Sequence, residues 1–132
     1  SSDVCSSDLN AIIHCHCPVL TAFAVANVPM KKPILPDFAL CFGEVPIVPY
    51  YCPSSIELAE QVGNYFEKYN AVLLKNHGIV IGANTLQNAF YGLEMLRSYA
   101  ETYFGAEVLG GAKAISKKGV EEIYKIYGKK VK

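Results

Sequence analysis

Apolar positions along the chain follow two rhythms, short β-branched runs and longer stretches at helical spacing, and the two alternate. Residues 11–16 form a first β-rich run. Pro18 then suits a first helical position, and Leu20-Thr21-Ala22-Phe23-Ala24-Val25-Ala26 continues as a short buried helix that Asn27 can end. Two lysines and three prolines between Pro29 and Pro36 mark an irregular connection. Extended pieces are predicted over 38–42 and 45–48, the second at an edge because Pro46 and Pro49 would interrupt a central ladder. Ser54 and Glu57 have capping-box spacing, and Ile56, Ala59, Val62, Gly63 and Phe66 recur at helical intervals, so a helix is expected to about Lys68. Apolar runs over 71–74 and 79–81 flank Asn76-His77-Gly78 and predict a hairpin or a bent strand pair. Thr85 opens the longest helix, with Ala89, Leu93, Leu96 and Ala100 among its apolar positions. Gly110-Gly111 ends that region, and Ser116 starts a last helix towards Tyr127-Gly128. Strands alternating with helices predict an α/β architecture, a sheet with helices packed on it.

Composition narrows the function classes. At 132 residues, 52% hydrophobic and 18% charged, the chain reads as one globular domain with no disorder signature. Twelve basic residues balance twelve acidic ones, which gives no reason to expect nucleic acid or an anionic membrane as partner. A near-neutral, apolar chain fits an oligomer. Five cysteines, an odd number scattered in apolar contexts, read as reduced thiols packed as small hydrophobes. No run approaches the about 20 apolar residues needed to span a bilayer, and no secretory signal is present, so a cytoplasmic location is expected. Residues 1–9 repeat Ser-Ser-Asp without periodicity and read as a non-native or disordered leader. Residues 10–128 form the domain, and 129–132 a solvated basic tail.

The chemistry concentrates in Asn10-Ala11-Ile12-Ile13-His14-Cys15-His16-Cys17-Pro18. Side chains at i and i+2 of a strand share a face, so His14 and His16 project together while Cys15 and Cys17 face the other way. The one other histidine is His77, beside Gly78, whose backbone freedom can aim the preceding side chain. A lone histidine in such a turn is more often a hydrogen-bonded structural residue than a ligand. Three histidines with none elsewhere, however, match the three-ligand plan of catalytic zinc, which leaves a position open for water or substrate. Imidazole also serves other divalent transition metals. A thiolate site from Cys15, Cys17, Cys41 and Cys52 is disfavoured, because no Cys-x-x-Cys pair exists. Carboxylates offer little for acid–base work: Asp37 and Glu44 flank the proline-rich connection, Glu57 reads as a cap, and Glu94 and Glu101 as a solvated helix face.

The segment Ala11-Ile12-Ile13-His14-Cys15-His16-Cys17-Pro18 with Thr21-Ala22-Phe23-Ala24-Val25-Ala26 resembles the His-x-His segment of class II sugar-phosphate aldolases. Their type is L-fuculose-phosphate aldolase, with rhamnulose-phosphate aldolase and ribulose-phosphate 4-epimerase as relatives. Gly43-Glu44-Val45-Pro46-Ile47-Val48-Pro49-Tyr50 resembles the family's following strand, and Leu73-Leu74-Lys75-Asn76-His77-Gly78-Ile79-Val80-Ile81-Gly82 its third-histidine segment. The resemblance implies a three-layer α/β/α sandwich, a mostly antiparallel central sheet with helices on both faces, here shortened at its amino end. It implies zinc on His14, His16 and His77, and cleavage of a phosphorylated ketose to dihydroxyacetone phosphate and an aldehyde. It further implies a homotetramer in which Tyr127, matching a carboxyl-terminal tyrosine of the family, reaches a neighbouring subunit's site. The epimerase branch and a metal-binding but inactive fragment are the alternatives. The chain departs from the pattern in two places. The family's glutamate base and phosphate loops belong upstream of the His-x-His strand, and Asp37 stands in the region where the fuculose type carries a further tyrosine.

Overall fold

A computed structural model of the chain describes residues 8–128. In order come β1 (Ala11–Cys15), α1 (Pro18–Ala26), α2 (Pro36–Cys41), β2 (Ile47–Val48), α3 (Ile56–Phe66), β3 (Ala71–Leu74), β4 (Gly78–Ala83), α4 (Leu86–Val108) and α5 (Lys117–Ile126). The four strands form one sheet in the order β1-β4-β3-β2. β1 and β3 flank β4 antiparallel, while β2 joins β3 in parallel, so the sheet is mixed and mostly antiparallel. Residues 1–7 of the leader expected over 1–9, and the tail expected at 129–132, lie outside the described residues.

Each sheet face has its own cover, giving the three-layer sandwich. Leu73, Ile79 and Ile81 point to one side, where they meet Leu20 and Phe23 of α1, Phe38 of α2 and Leu96 and Tyr99 of α4. Burying each large side chain there contributes roughly 1.5–3 kcal/mol. Val48, Val72, Leu74 and Val80 point to the other side, under Leu58, Val62, Tyr65 and Phe66 of α3. The helix starts follow from local capping. Ser55, Thr85 and Ser116 each accept a main-chain N–H from three residues on, satisfying donors that the first helical turn leaves unpaired. Asn27 ends α1 in the left-handed conformation, as expected.

Four local expectations are corrected. The segment predicted as extended over 38–42 is helix α2: Pro36 presets the first helical φ, the Asp37 carboxylate takes the Phe38 N–H at 2.8 Å, and Phe38 and Ala39 turn into the core. The strand predicted over 45–48 shrinks to Ile47–Val48, because Val45 bridges back to Met30 instead. The cap of α3 is Ser55, not Ser54; Ser54 is left-handed at φ 64° and stands outside the helix. The thiols of Cys15, Cys17 and Cys52 are free, whereas Cys41 is disulfide-bonded, which corrects the reduced-thiol reading at that position. Among the described residues no helix is long and apolar enough to cross a membrane.

Candidate metal centre

Alternation along β1 puts Ile12, His14 and His16 on the α3 side of the sheet, while Ile13 and Cys15, with Cys17 beyond the strand end, pack into the opposite core. The third histidine arrives from the β3–β4 hairpin. Leu74 pairs with Gly78, leaving Lys75, Asn76 and His77 as its tip, and the His77 N–H closes the turn on the Leu74 carbonyl at 3.0 Å. The residue with an unusual backbone is Asn76, at φ 59°. Gly78 is part of strand β4, so the freedom expected of it is used two residues earlier, and asparagine tolerates that conformation.

The three predicted ligands converge. Their ring centroids are 4.9 to 5.0 Å apart in every pair, and one nitrogen from each lies within 4.8 Å of the others. His14 Nδ1 lies 2.9 Å from the Ile79 carbonyl oxygen. A carbonyl accepts only, so Nδ1 carries the proton and Nε2 presents a lone pair to the cluster. That second contact is the arrangement metal-ligating histidines use to fix tautomer and ring angle. His14 Nε2 and His16 Nε2 stand 3.2 Å apart. Two nitrogens bound tetrahedrally to zinc at about 2.0–2.1 Å would be separated by about 3.3 Å, so the spacing fits such an ion. Desolvation, and then the neighbouring His14 and His16, lower the His77 pKa below its ordinary 6.5, which favours the neutral ring a cation needs.

The centre opens into a cavity of about 830 Å³ between β1, β4 and α3. Its walls are mostly apolar, with Ile12, Leu58, Val62, Phe66 and Val80 among them, and Pro53 and Ser54 at the approach to α3. No carboxylate and no lysine or arginine lines it among the described residues. Asp37 accepts the Phe38 N–H in the first turn of α2 and Glu44 accepts the Tyr69 hydroxyl at 3.1 Å, so neither reaches the histidines. Tyr127 ends α5, exposed and outside the cavity lining. Sequence reasoning missed two contributors, the Ile79 carbonyl and the α3 wall. Only the amphipathic spacing of α3 carried a signal for either.

Residues 5–104 match the family described as Class II Aldolase and Adducin N-terminal domain. The chain is 34% identical over 110 residues to a 3-oxo-tetronate 4-phosphate decarboxylase of Pectobacterium atrosepticum, covering 80% of this chain and 49% of that protein. It is 31% identical over 93 residues to an L-fuculose phosphate aldolase of Methanococcus maripaludis, covering 70% of this chain and 50% of the relative. A solved L-fuculose 1-phosphate aldolase superposes with a TM-score of 0.80 at 30% identity, over 92% of this chain and 57% of that one. The chain thus spans about half the length of the curated relatives it matches.

Proposed function

The chain belongs to the class II aldolase and adducin N-terminal domain family, and from that premise we propose that it is the metal-binding part of a lyase that breaks a carbon–carbon bond in a phosphorylated ketose. The products are dihydroxyacetone phosphate and an aldehyde. The observation that carries the reading is the convergence of His14, His16 and His77, with 3.2 Å between the two β1 nitrogens. These three residues hold a divalent cation, and the all-nitrogen donor set favours zinc. When bound, the ion supplies Lewis-acid chemistry, drawing electron density from the substrate's carbonyl and hydroxyl oxygens as negative charge develops.

The protein's own groups have three tasks. The Ile79 carbonyl holds the His14 ring at a fixed angle and tautomer. The partly buried His77 stays neutral and keeps its lone pair available. The mostly apolar walls line the approach to the histidines, leaving the three rings as the main polar groups a substrate meets there. Tyr127 acts in a neighbouring subunit's site within a homotetramer, at the exposed end of α5. The enzyme works in the cytoplasm on a phosphorylated sugar. The carboxylate base and the phosphate-binding groups come from outside the described cavity, consistent with the absence of charged side chains lining it.

A second reading is decarboxylation of a phosphorylated 3-oxo acid, which the decarboxylase relative favours. Both reactions break a bond beside a carbonyl and leave an electron pair that a cation can stabilise.

Metal analysis of the purified chain tests the centre: one zinc per chain is expected, lost in His14→Ala, His16→Ala and His77→Ala variants. A wild-type chain without stoichiometric metal would overturn it. Incubation with ketose 1-phosphates and with phosphorylated 3-oxo acids separates the reactions. Dihydroxyacetone phosphate supports the aldolase, carbon dioxide the decarboxylase, and interconversion of pentulose phosphates an epimerase. Metal binding without turnover marks an inactive fragment.

A further inference from the structure

Three main-chain carriers meet at one residue that bears no side chain. The β1–β4 register pairs Cys15 with Ile79, so Gly78 falls opposite His16 at the end of that ladder. Gly78 also follows His77 directly and pairs with Leu74 across the hairpin. A Cβ built on Gly78 would collide with the Cys15 carbonyl oxygen and lie 3.0 Å from His16 Cδ2. The Cys15 carbonyl belongs to the peptide linking Cys15 to His16, and Cys15 itself separates the two β1 ligands. That oxygen cannot turn aside as a side chain can; the backbone must shift and take the ligand positions with it.

The other crowded glycines differ in kind. A Cβ on Gly82, in the same strand, would meet Leu9 Cδ2 at 2.7 Å and Phe66 Cε1 at 3.2 Å, and on Gly92 it would meet Ile81 Cδ1 at 2.8 Å. Those neighbours are side-chain ends with rotamers to spare. Gly82 and Gly43 also face main-chain oxygens, but at 3.5 Å and 3.8 Å; among the described glycines, Gly78 alone meets main chain closer than 3.0 Å.

Resting on the metal reading above, we propose that Gly78 is a positioning residue of the centre: its bare Cα lets β1 approach the hairpin closely enough for His16 to fold over towards His14 and His77. It touches no substrate, and it acts through His16.

The test compares Gly78→Ala with Gly82→Ala and with wild type, by competition titration of zinc and by the visible spectrum of the cobalt-substituted chain. Gly78→Ala is expected to lose about 10–100-fold in zinc affinity, the range for residues that orient ligands, and to show an altered cobalt spectrum at saturation. Gly82→Ala is expected to melt lower yet hold zinc as wild type does. In a His16→Ala background the additional loss from Gly78→Ala should vanish, because the ring it positions is gone. Wild-type affinity and spectrum in a folded Gly78→Ala chain overturn the proposal, as does an equal loss in both backgrounds. A Gly78→Ala chain that fails to fold even with excess zinc reassigns the residue to sheet formation and also overturns it. A wild-type chain that binds neither zinc nor cobalt refutes the metal reading itself, and the positioning role falls with it.

Discussion

The two faces of the sheet divide the labour of the domain. On the face covered by α1, α2 and α4, Leu20, Phe38, Leu73, Ile79 and Leu96 are fully buried, and Phe38 stacks on Tyr99 with ring centroids 4.0 Å apart. On the face covered by α3 the cover is partial. No residue of α3 is buried, Ile12 is 63% exposed, and the gap between helix and sheet is the cavity that holds the histidines. The same four strands serve both, because alternation sends neighbouring residues to opposite sides. The contrast teaches that placement of the histidines depends on a core their rings never touch. Ile13 and Cys15 anchor β1 from behind, and His14 and His16 inherit that anchoring in front.

The sharpest test of this division is a large truncation on the closed face. Phe38→Ala should lower unfolding free energy by about 3–5 kcal/mol, since the site is enclosed and cannot collapse. Urea unfolding followed by circular dichroism measures it, and a loss under about 1 kcal/mol would show that this face is no better packed than the other. Tyr99→Phe comes next. Its hydroxyl donates to the Lys32 carbonyl at 2.7 Å, and burial with the nearby Tyr103 pushes its pKa well above the ordinary phenol value. Deleting that donor should cost about 1–2 kcal/mol by the same measurement, with zinc stoichiometry unchanged.

On the open face the expected effects are smaller and depend on pH. The folded His77 binds a proton less readily than the unfolded chain, which titrates near 6.5. Its contribution is therefore fully present above that value, and stability declines as acid protonates the unfolded state first. Melting of the metal-stripped chain should fall below pH 6.5, and His77→Gln should flatten that fall. An unchanged slope in the variant would remove His77 as its source. The smallest effect is expected for Ile12→Ser, within about 0.5 kcal/mol, as at an exposed position. A loss matching that of Phe38→Ala would mean that Ile12 is covered in solution and that the open face is closed there.

Most of this division could be read from residue spacing. The i, i+2 placement of His14 and His16 gave their common face, and the caps at Thr85 and Ser116 were read to the residue. The misses share a cause, the shortness of the signal. Residues 36–41 make fewer than two helical turns, too few for a 3.6-residue period to separate from a strand, so Phe38 read as extended. Ser54 and Ser55 are chemically equivalent caps, and the choice between them was made by the left-handed backbone at Ser54. The Ile79 carbonyl had no signal at all, because a main-chain acceptor is identical at every position and only register brings it to His14.

Helix α5 lies at the other extreme from the sheet. It buries none of its residues, and its moorings sit on one side: the Ile115 N–H on the Pro33 carbonyl at 2.9 Å, and the Tyr124 hydroxyl on the Ala39 carbonyl at 3.2 Å. Such a helix is expected to open locally more readily than β3 and β4, where every residue is buried. Amide hydrogen exchange is therefore expected to be slower in the strands that flank the third histidine than in the segment ending in Tyr127. Opening at the terminal tyrosine would then leave the order of the histidines intact.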